Sequence, residues 1–251
     1  MFKKYDVIVV GGGPAGLHTG RKLSDKGLSV LILEEHSEVG TLVECAGGIE
    51  AHTFRDVDLK PKKEWIKSEV RKIRFFSPKN TVVEIKSKRP LAYITDRREF
   101  DKYLGELALD SGVEIALKTK FADVKNLERD AAIEVKGIGG KREIYAKVLV
   151  AADGVKSTVG KKFSLDMRKK FYYCAEYEMI DVNLDKETAE IYFCNLARGG
   201  YVWIFARGNR FNVGIGTVNK DRNVVYYLDE FIKEHPMVRD RCMDVETWKR
   251  V

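Results

Sequence analysis

Apolar and polar positions change period several times along the chain, and each change predicts an element. Tyr5 to Val10 (YDVIVV) is a short apolar run that reads as a buried strand, and Gly11-Gly12-Gly13-Pro14-Ala15-Gly16 follows it directly. Leu17 to Lys26 has helical spacing, Gly27 stops it, and Leu28 to Leu33 (LSVLIL) is a second apolar run closed by Glu34. Beyond residue 70 short strands are predicted at Val70 to Phe76, Thr81 to Lys86 and Leu91 to Thr95. An amphipathic helix follows at Arg97 to Asp110, then strands at Val113 to Leu117, Phe121 to Asn126, Ala131 to Val135 and Glu143 to Ala151. Strands return at Phe171 to Ile180, Ala189 to Cys194, Tyr201 to Phe205 and Phe211 to Val218, and a helix from Val224 is stopped after His235 by Pro236.

The opening run of strand, glycine turn, helix, strand and acid is the order of a dinucleotide-binding βαβ unit. Gly11 makes the tight turn, Gly13 lets the backbone approach a pyrophosphate, and Gly16 lets the helix lie close to the strand. The free N–H groups of the helix start then face the phosphates, and Glu34, 23 residues after Gly11, can accept a bond from a ribose hydroxyl. Gly137-Ile138-Gly139-Gly140 does not open a helix, so a second nucleotide domain is not expected.

Composition narrows the class. The 251 residues are 44% hydrophobic, enough to fill a core, and no apolar run approaches the roughly 20 residues that span a bilayer. The five-residue leader is too short for a secretory signal, which predicts a soluble, cytoplasmic protein. Charged residues make up 33% of the chain and Gln is absent, a balance that leans toward a heat-adapted source. Cys45, Cys174, Cys194 and Cys242 form no Cys-x-x-Cys pair and the four histidines show no ligand spacing, so no metal site is expected. His18, His36, His52 and His235 read as surface or satisfied core residues.

The net charge of +7 is local. Residues 55–74 carry eight Lys/Arg against four acids and residues 156–170 six against one, leaving the remainder slightly acidic. No recognition motif or interleaved stacking aromatics accompany these runs, so nucleic acid is not the expected partner. An anionic lipid surface, a phosphate-bearing ligand or a merely solvated face remain as readings.

Four further motifs carry a family resemblance. Ala152-Asp153-Gly154-Val155-Lys156-Ser157-Thr158-Val159 resembles the Asp-Gly motif of flavoprotein hydroxylases and related reductases, and reads otherwise as a strand-end turn capped by Asp153. Thr95-Asp96-Arg97-Arg98-Glu99-Phe100 resembles the family's helix start, whose Arg reaches the flavin phosphates or ribityl chain: Arg97 by register, with Arg98 as the alternative. Tyr201-Val202-Trp203-Ile204-Phe205, with Gly214-Ile215-Gly216 beyond, is similar to the signature of the geranylgeranyl reductase family, with Ala206 where that family usually has Pro. That departure puts the turn geometry in question. Cys45-Ala46-Gly47-Gly48 resembles the cysteine-glycine loop beside the isoalloxazine ring, although a small buried hydrophobe is an equal reading of Cys45.

The resemblance to geranylgeranyl reductases, including archaeal digeranylgeranylglycerophospholipid reductases, implies a Rossmann-like α/β FAD-binding domain of the glutathione-reductase/hydroxylase type. It also implies an inserted, mostly antiparallel substrate sheet. The expected division is residues 1–70 and 96–165 for FAD, 71–95 and 166–220 for substrate, and 221–251 as a helical tail. FAD contacts are implied for Gly11, Gly13, Pro14, Ala15, Gly16, Glu34, Glu35, Cys45, Ala46, Gly47, Gly48, Arg97, Phe121, Asp153 and Gly154, and a proton-donating role for Cys45. Tyr201, Trp203, Phe205, Gly214 and Gly216 would line an apolar substrate site. The implied reaction saturates the double bonds of a prenyl lipid or prenyl diphosphate, with electrons from NAD(P)H or ferredoxin, at an anionic membrane surface. The family's later Gly-Asp flavin motif has no counterpart after Gly216, which suggests a truncated form or a short relative. An aromatic hydroxylase and a non-catalytic flavin or lipid binder are the alternatives.

Overall fold

The structure, a computed structural model, describes residues 4–41, 45–125, 131–165, 171–180, 184–235 and 249–250. Its first strands are β1 (Lys4–Val10), β2 (Val30–Leu33), β3 (Gly48–Glu50), β4 (Ile66–Val70), β5 (Lys72–Phe76), β6 (Val82–Lys86), β7 (Ala92–Thr95) and β8 (Glu114–Ala116). They are followed by β9 (Lys120–Val124), β10 (Ala131–Gly137), β11 (Gly140–Ala151), β12 (Tyr173–Met179), β13 (Thr188–Tyr192), β14 (Tyr201–Arg207), β15 (Arg210–Thr217) and β16 (Lys249–Arg250). The helices are α1 (Pro14–Ser24), α2 (Ala51–Asp56), α3 (Arg97–Asp110), α4 (Thr158–Lys162) and α5 (Val224–Glu234).

The chain divides into two compact units, residues 1–43 with 97–168 and residues 44–96 with 169–251. The first is built on a six-stranded sheet in the order β8-β2-β1-β11-β10-β9. β8, β2, β1 and β11 run parallel and β10 and β9 return antiparallel. The parallel strands are the continuous apolar runs: all of β2 and the last four residues of β1 are buried, as expected where both faces are covered. Ile8, Val10, Leu31, Leu33, Ile133, Val135 and Ala146 form its core.

The second unit contains a seven-stranded sheet, β16-β12-β15-β14-β13-β5-β6, antiparallel except where β13 runs beside β5, and a three-stranded sheet, β3-β7-β4. Strand alternation separates the two faces of the large sheet. Val202, Ile204 and Ala206 of β14 and Phe211, Val213 and Ile215 of β15 join Leu228, Phe231 and Ile232 of α5 in one core. Tyr201, Trp203 and Phe205 therefore point the other way.

The division differs from the expected one at both ends. Residues 44–70 group with the second unit, where β3 and β4 each hydrogen-bond to β7. Residues 221–235 are no separate tail, since the apolar face of α5 completes the core of the large sheet. Ala206 makes no turn. It is buried within β14, one residue before the strand ends, paired with Phe211, and the reversal comes later at Gly208 and Asn209. β4, α2 and α4 have no counterpart in the apolar pattern because they are short and half exposed.

Candidate functional site

In the first unit the glycine turn is shaped by its neighbours on the parallel sheet. Gly11 adopts φ +108°, and a Cβ there would lie 2.3 Å from the carbonyl oxygen of Ala152, at the end of the adjacent β11. A Cβ on Gly16 would lie 1.9 Å from the carbonyl oxygen of Gly11, so only glycine lets α1 start this close to the turn. Gly13 is different: a Cβ there would meet no atom of the described residues within 4 Å. Its bare backbone borders open space at the start of α1, where Pro14 occupies the first turn and no described side chain caps the N–H groups. An uncapped helix start beside open space, at the carboxyl ends of parallel strands, suits a diphosphate. Judged by these residues, the nucleotide part of FAD fits.

The acidic residues around the turn already have partners. Buried Glu34 accepts from the Gly12 N–H at 2.8 Å through Oε2 and from the His36 N–H at 2.8 Å through Oε1, with His36 Nδ1 at 2.6 Å. Its remaining lone pairs are what a ribose hydroxyl could use. His36, read from sequence as a surface or core histidine, is thus the residue that orients Glu34. Glu35 is paired instead with Lys120 at 2.6 Å. Asp153 accepts from Ser157 Oγ and from the N–H groups of Thr158 at 2.6 Å and Val159 at 3.1 Å, so the capping geometry is present where the Asp-Gly motif was read. It still stands beside the glycine turn, with Gly154 at φ +75°. Arg97 forks onto Asp101 at 3.1 and 3.2 Å, whereas Arg98 reaches Glu38 from a more exposed position. Burial pushes the Asp101 carboxyl above the ordinary carboxylate range, and Arg97 opposes it. Phe121 is buried in the sheet core, which leaves its backbone, not its ring, for any cofactor.

In the second unit the signature strand forms a row of rings. Tyr201 meets Trp203 edge-on at 6.1 Å and Trp203 stacks with Phe205 at 6.3 Å. The indole lies across β15, where a Cβ on Gly214 would come within 2.2 Å of it. Its Nε1 donates to Asn212 Oδ1 at 2.7 Å. Glu178 Oε1 accepts from Asn212 Nδ2 at 3.2 Å and from Arg207 at 2.8 Å. Sequence reasoning passed over Asn212, Glu178 and Arg207, and only the position of Asn212 two residues before Gly214 hinted at them. Gly216 neighbours Cys174, whose Sγ is 3.5 Å from a Cβ placed there. Desolvation, then Glu176 and Cys45, push the Cys174 thiol up, which also places Cys45 within electrostatic reach of Cys174. Gly47 is fixed by Thr95, whose N–H and Oγ1 both donate to its carbonyl at 2.9 Å, while Gly48 approaches the ring of Phe205. The cysteine-glycine loop and the aromatic row are therefore neighbours within one unit.

The basic segments are less free than their composition suggests. Lys67 pairs with Asp96, Arg71 with Glu69 and Glu187, Lys72 with Asp185, and Arg74 with Glu84 and Glu190. In the other run Lys162 pairs with Asp123, and residues 166–170 lie outside the described residues, as do Cys242 and most of the tail. No described helix is long and apolar enough to cross a membrane.

Comparison with known proteins shows what the whole chain is similar to. The FAD binding domain family matches residues 4–244. The chain is 38% identical to a digeranylgeranylglycerophospholipid reductase of Methanocaldococcus jannaschii over 96% of its own length and 62% of that protein's. It is 33% identical to the reductase of the same name from Picrophilus torridus, again over 62% of that protein. The chain thus spans about three fifths of the relatives it matches. Its fold superposes on a geranylgeranyl bacteriochlorophyll reductase-like protein of Thermoplasma acidophilum with a TM-score of 0.87 and 28% identity, covering 99% of this chain and 64% of that one. A p-nitrophenol 4-monooxygenase of Pseudomonas putida shares the fold alone, at 18% identity and a TM-score of 0.75, over 100% of this chain and 68% of that one.

Proposed function

This chain belongs to the FAD binding domain family, and from that premise we propose that it is an FAD-dependent reductase that saturates isoprenoid double bonds in a prenyl lipid. The observation that carries the proposal is the row Tyr201, Trp203 and Phe205 beside Gly214 and Gly216, in a chain similar to digeranylgeranylglycerophospholipid reductases.

In this reading the first-turn N–H groups of α1, with Gly11, Gly13, Pro14, Ala15 and Gly16 shaping the approach, hold the diphosphate. Glu34, kept in place by Gly12 and His36, accepts a ribose hydroxyl. Asp153, Gly154 and Arg97 lie at the same end of the unit's sheet or on its helix α3, and would complete the nucleotide contacts. Bound FAD, once reduced by two electrons from the external reductant, would supply hydride chemistry at the alkene. The chain's own part is to orient the alkene on a fixed indole, to exclude water with aromatic rings, and to deliver a proton to the second alkene carbon. Cys45 is the proposed donor. Cys174, beside Gly216 on the same sheet, is a second thiol near the aromatic row. The reductant, NAD(P)H or ferredoxin, would dock transiently. The protein would lie peripherally on an anionic membrane surface through the two basic segments, residues 55–74 and 156–170.

The test is to load the purified chain with FAD, reduce it, and follow alkene saturation of a geranylgeranyl lipid by mass spectrometry. Saturation is expected, with Cys45→Ala slower by roughly a hundredfold, the usual reach of a general acid. Saturation at an unchanged rate in Cys45→Ala would remove the role of Cys45. A chain that takes up FAD and reduces no prenyl substrate would remove the reductase reading.

A further inference from the structure

The aromatic row does not end at Tyr201. Phe193 meets Tyr201 edge-on at 6.5 Å and stacks on Phe75 at 6.4 Å, with the two ring planes only 10° apart. From Trp203 to Phe75 the rings therefore follow one another at 6.1 to 6.5 Å, close enough that an apolar chain laid along them always has a partner. The strand register carries the same face outward, since Phe75 sits opposite Val83 on β6, the outermost strand. Ile191, between Phe75 and Trp203 in register, adds no charge to the row.

Exposure grades along this path. Trp203 is 8% exposed and fixed through Asn212, Phe193 and Tyr201 are each 44% exposed, and Val83 is 59% exposed. Exposed apolar area of this kind costs about 25 cal/mol per Å² relative to burial, and a contiguous row of it marks a binding surface. The chemistry of the occupant follows from its being a sheet face and not a sheet edge. The backbone N–H and C=O groups of β5, β13 and β14 are spent in the ladder, so the face offers rings and methyl groups and nothing to pair with a peptide. A branched hydrocarbon chain needs nothing more.

We infer that Phe75 and Phe193 form a distal chain subsite that measures isoprenoid length, holding the far end of a prenyl chain whose near end lies at Tyr201 and Trp203. The inference rests on the prenyl-lipid reading and adds to it the residues that set chain-length preference. Short chains stop before Phe193, and long ones cover it and Phe75.

The probes are geranyl, farnesyl and geranylgeranyl diphosphate, titrated into the whole chain and followed by tryptophan fluorescence and calorimetry, so that binding is read without turnover. The wild type is expected to bind the geranylgeranyl compound most tightly. Phe193→Ala should weaken that compound about tenfold, farnesyl less, and leave geranyl unchanged, with Phe193→Leu restoring most of the loss. Phe75→Ala should follow the same order, and melting temperatures report whether each variant is folded. Equal loss for all three compounds, or none in a folded Phe193→Ala that still binds geranylgeranyl diphosphate, would overturn the subsite while leaving the prenyl reading intact. A wild type that binds none of the three would overturn both.

Discussion

The two units build their sites from different material. Around Gly11 to Gly16 the working parts are backbone groups, and the acidic side chains nearby serve mainly to hold that backbone: Glu34 on Gly12, Asp153 on the start of α4. On the large sheet the working parts are side chains from four strands, aligned by register and pinned by one polar chain through Asn212 and Glu178. A backbone site fails when a single atom intrudes. A side-chain site degrades ring by ring.

The sharpest way to break the comparison is Gly16→Val. With its Cβ inside the carbonyl of Gly11, this variant should lose FAD entirely and about 3 kcal/mol of stability. Visible absorbance of the purified protein and urea denaturation report the two effects. Retention of flavin would show that the turn can move and is not a rigid cradle.

Gly214→Val is the matching lesion in the other unit. Its side chain would displace the Trp203 indole and press on the carbonyl of Ala175, with an expected loss of about 2 kcal/mol and a red-shifted tryptophan emission. Flavin content should be unchanged. A parallel loss of flavin would mean that the two sites are not independent in the way their construction implies.

The smallest effect is a pH dependence confined to the second unit. His235 packs against Tyr192 and Phe231, its buried Nδ1 has no hydrogen-bond partner among the described residues, and burial holds its pKa below the ordinary 6.5. The unfolded chain therefore takes up a proton before the folded one does. The resulting contribution to stability is complete above the unfolded value and is lost as pH falls through it toward the folded pKa. His235→Phe should flatten urea midpoints measured between about pH 7.5 and 5.5 relative to wild type. An identical slope in the variant would assign the dependence elsewhere.

Much of this was legible before the structure because it is local. The βαβ opening, the helix Arg97–Asp110 and the hairpin that carries Tyr201 to Gly216 are each set by residues close in sequence, where glycine placement and strict alternation leave few alternatives. What was missed is of another kind. The Asp-Gly motif left Asp153 between a cofactor contact and a cap, and only the folded chain shows that the Ser157 hydroxyl and the N–H groups of Thr158 and Val159 take up its carboxylate. Arg97 could be placed at a helix start, while its engagement by Asp101 depends on how that face is buried. The basic run at 55–74 looked like a patch because charge was counted along the chain, and its partners Asp185, Glu187 and Glu190 arrive from far away.

By itself, then, the sequence determined the places where the backbone must be bare, the alternation that puts Tyr201, Trp203 and Phe205 on one face, and the family that this combination resembles. Only the tertiary structure decided that Phe75 and Phe193 continue that face, that Cys174 neighbours Gly216, and that residues 44–70 group with the second unit. The physical reason is that a glycine's fitness is set by atoms within a turn of chain, whereas a neighbour across a sheet is chosen by hydrogen-bond register between strands more than a hundred residues apart, as where Phe75 meets Ile191.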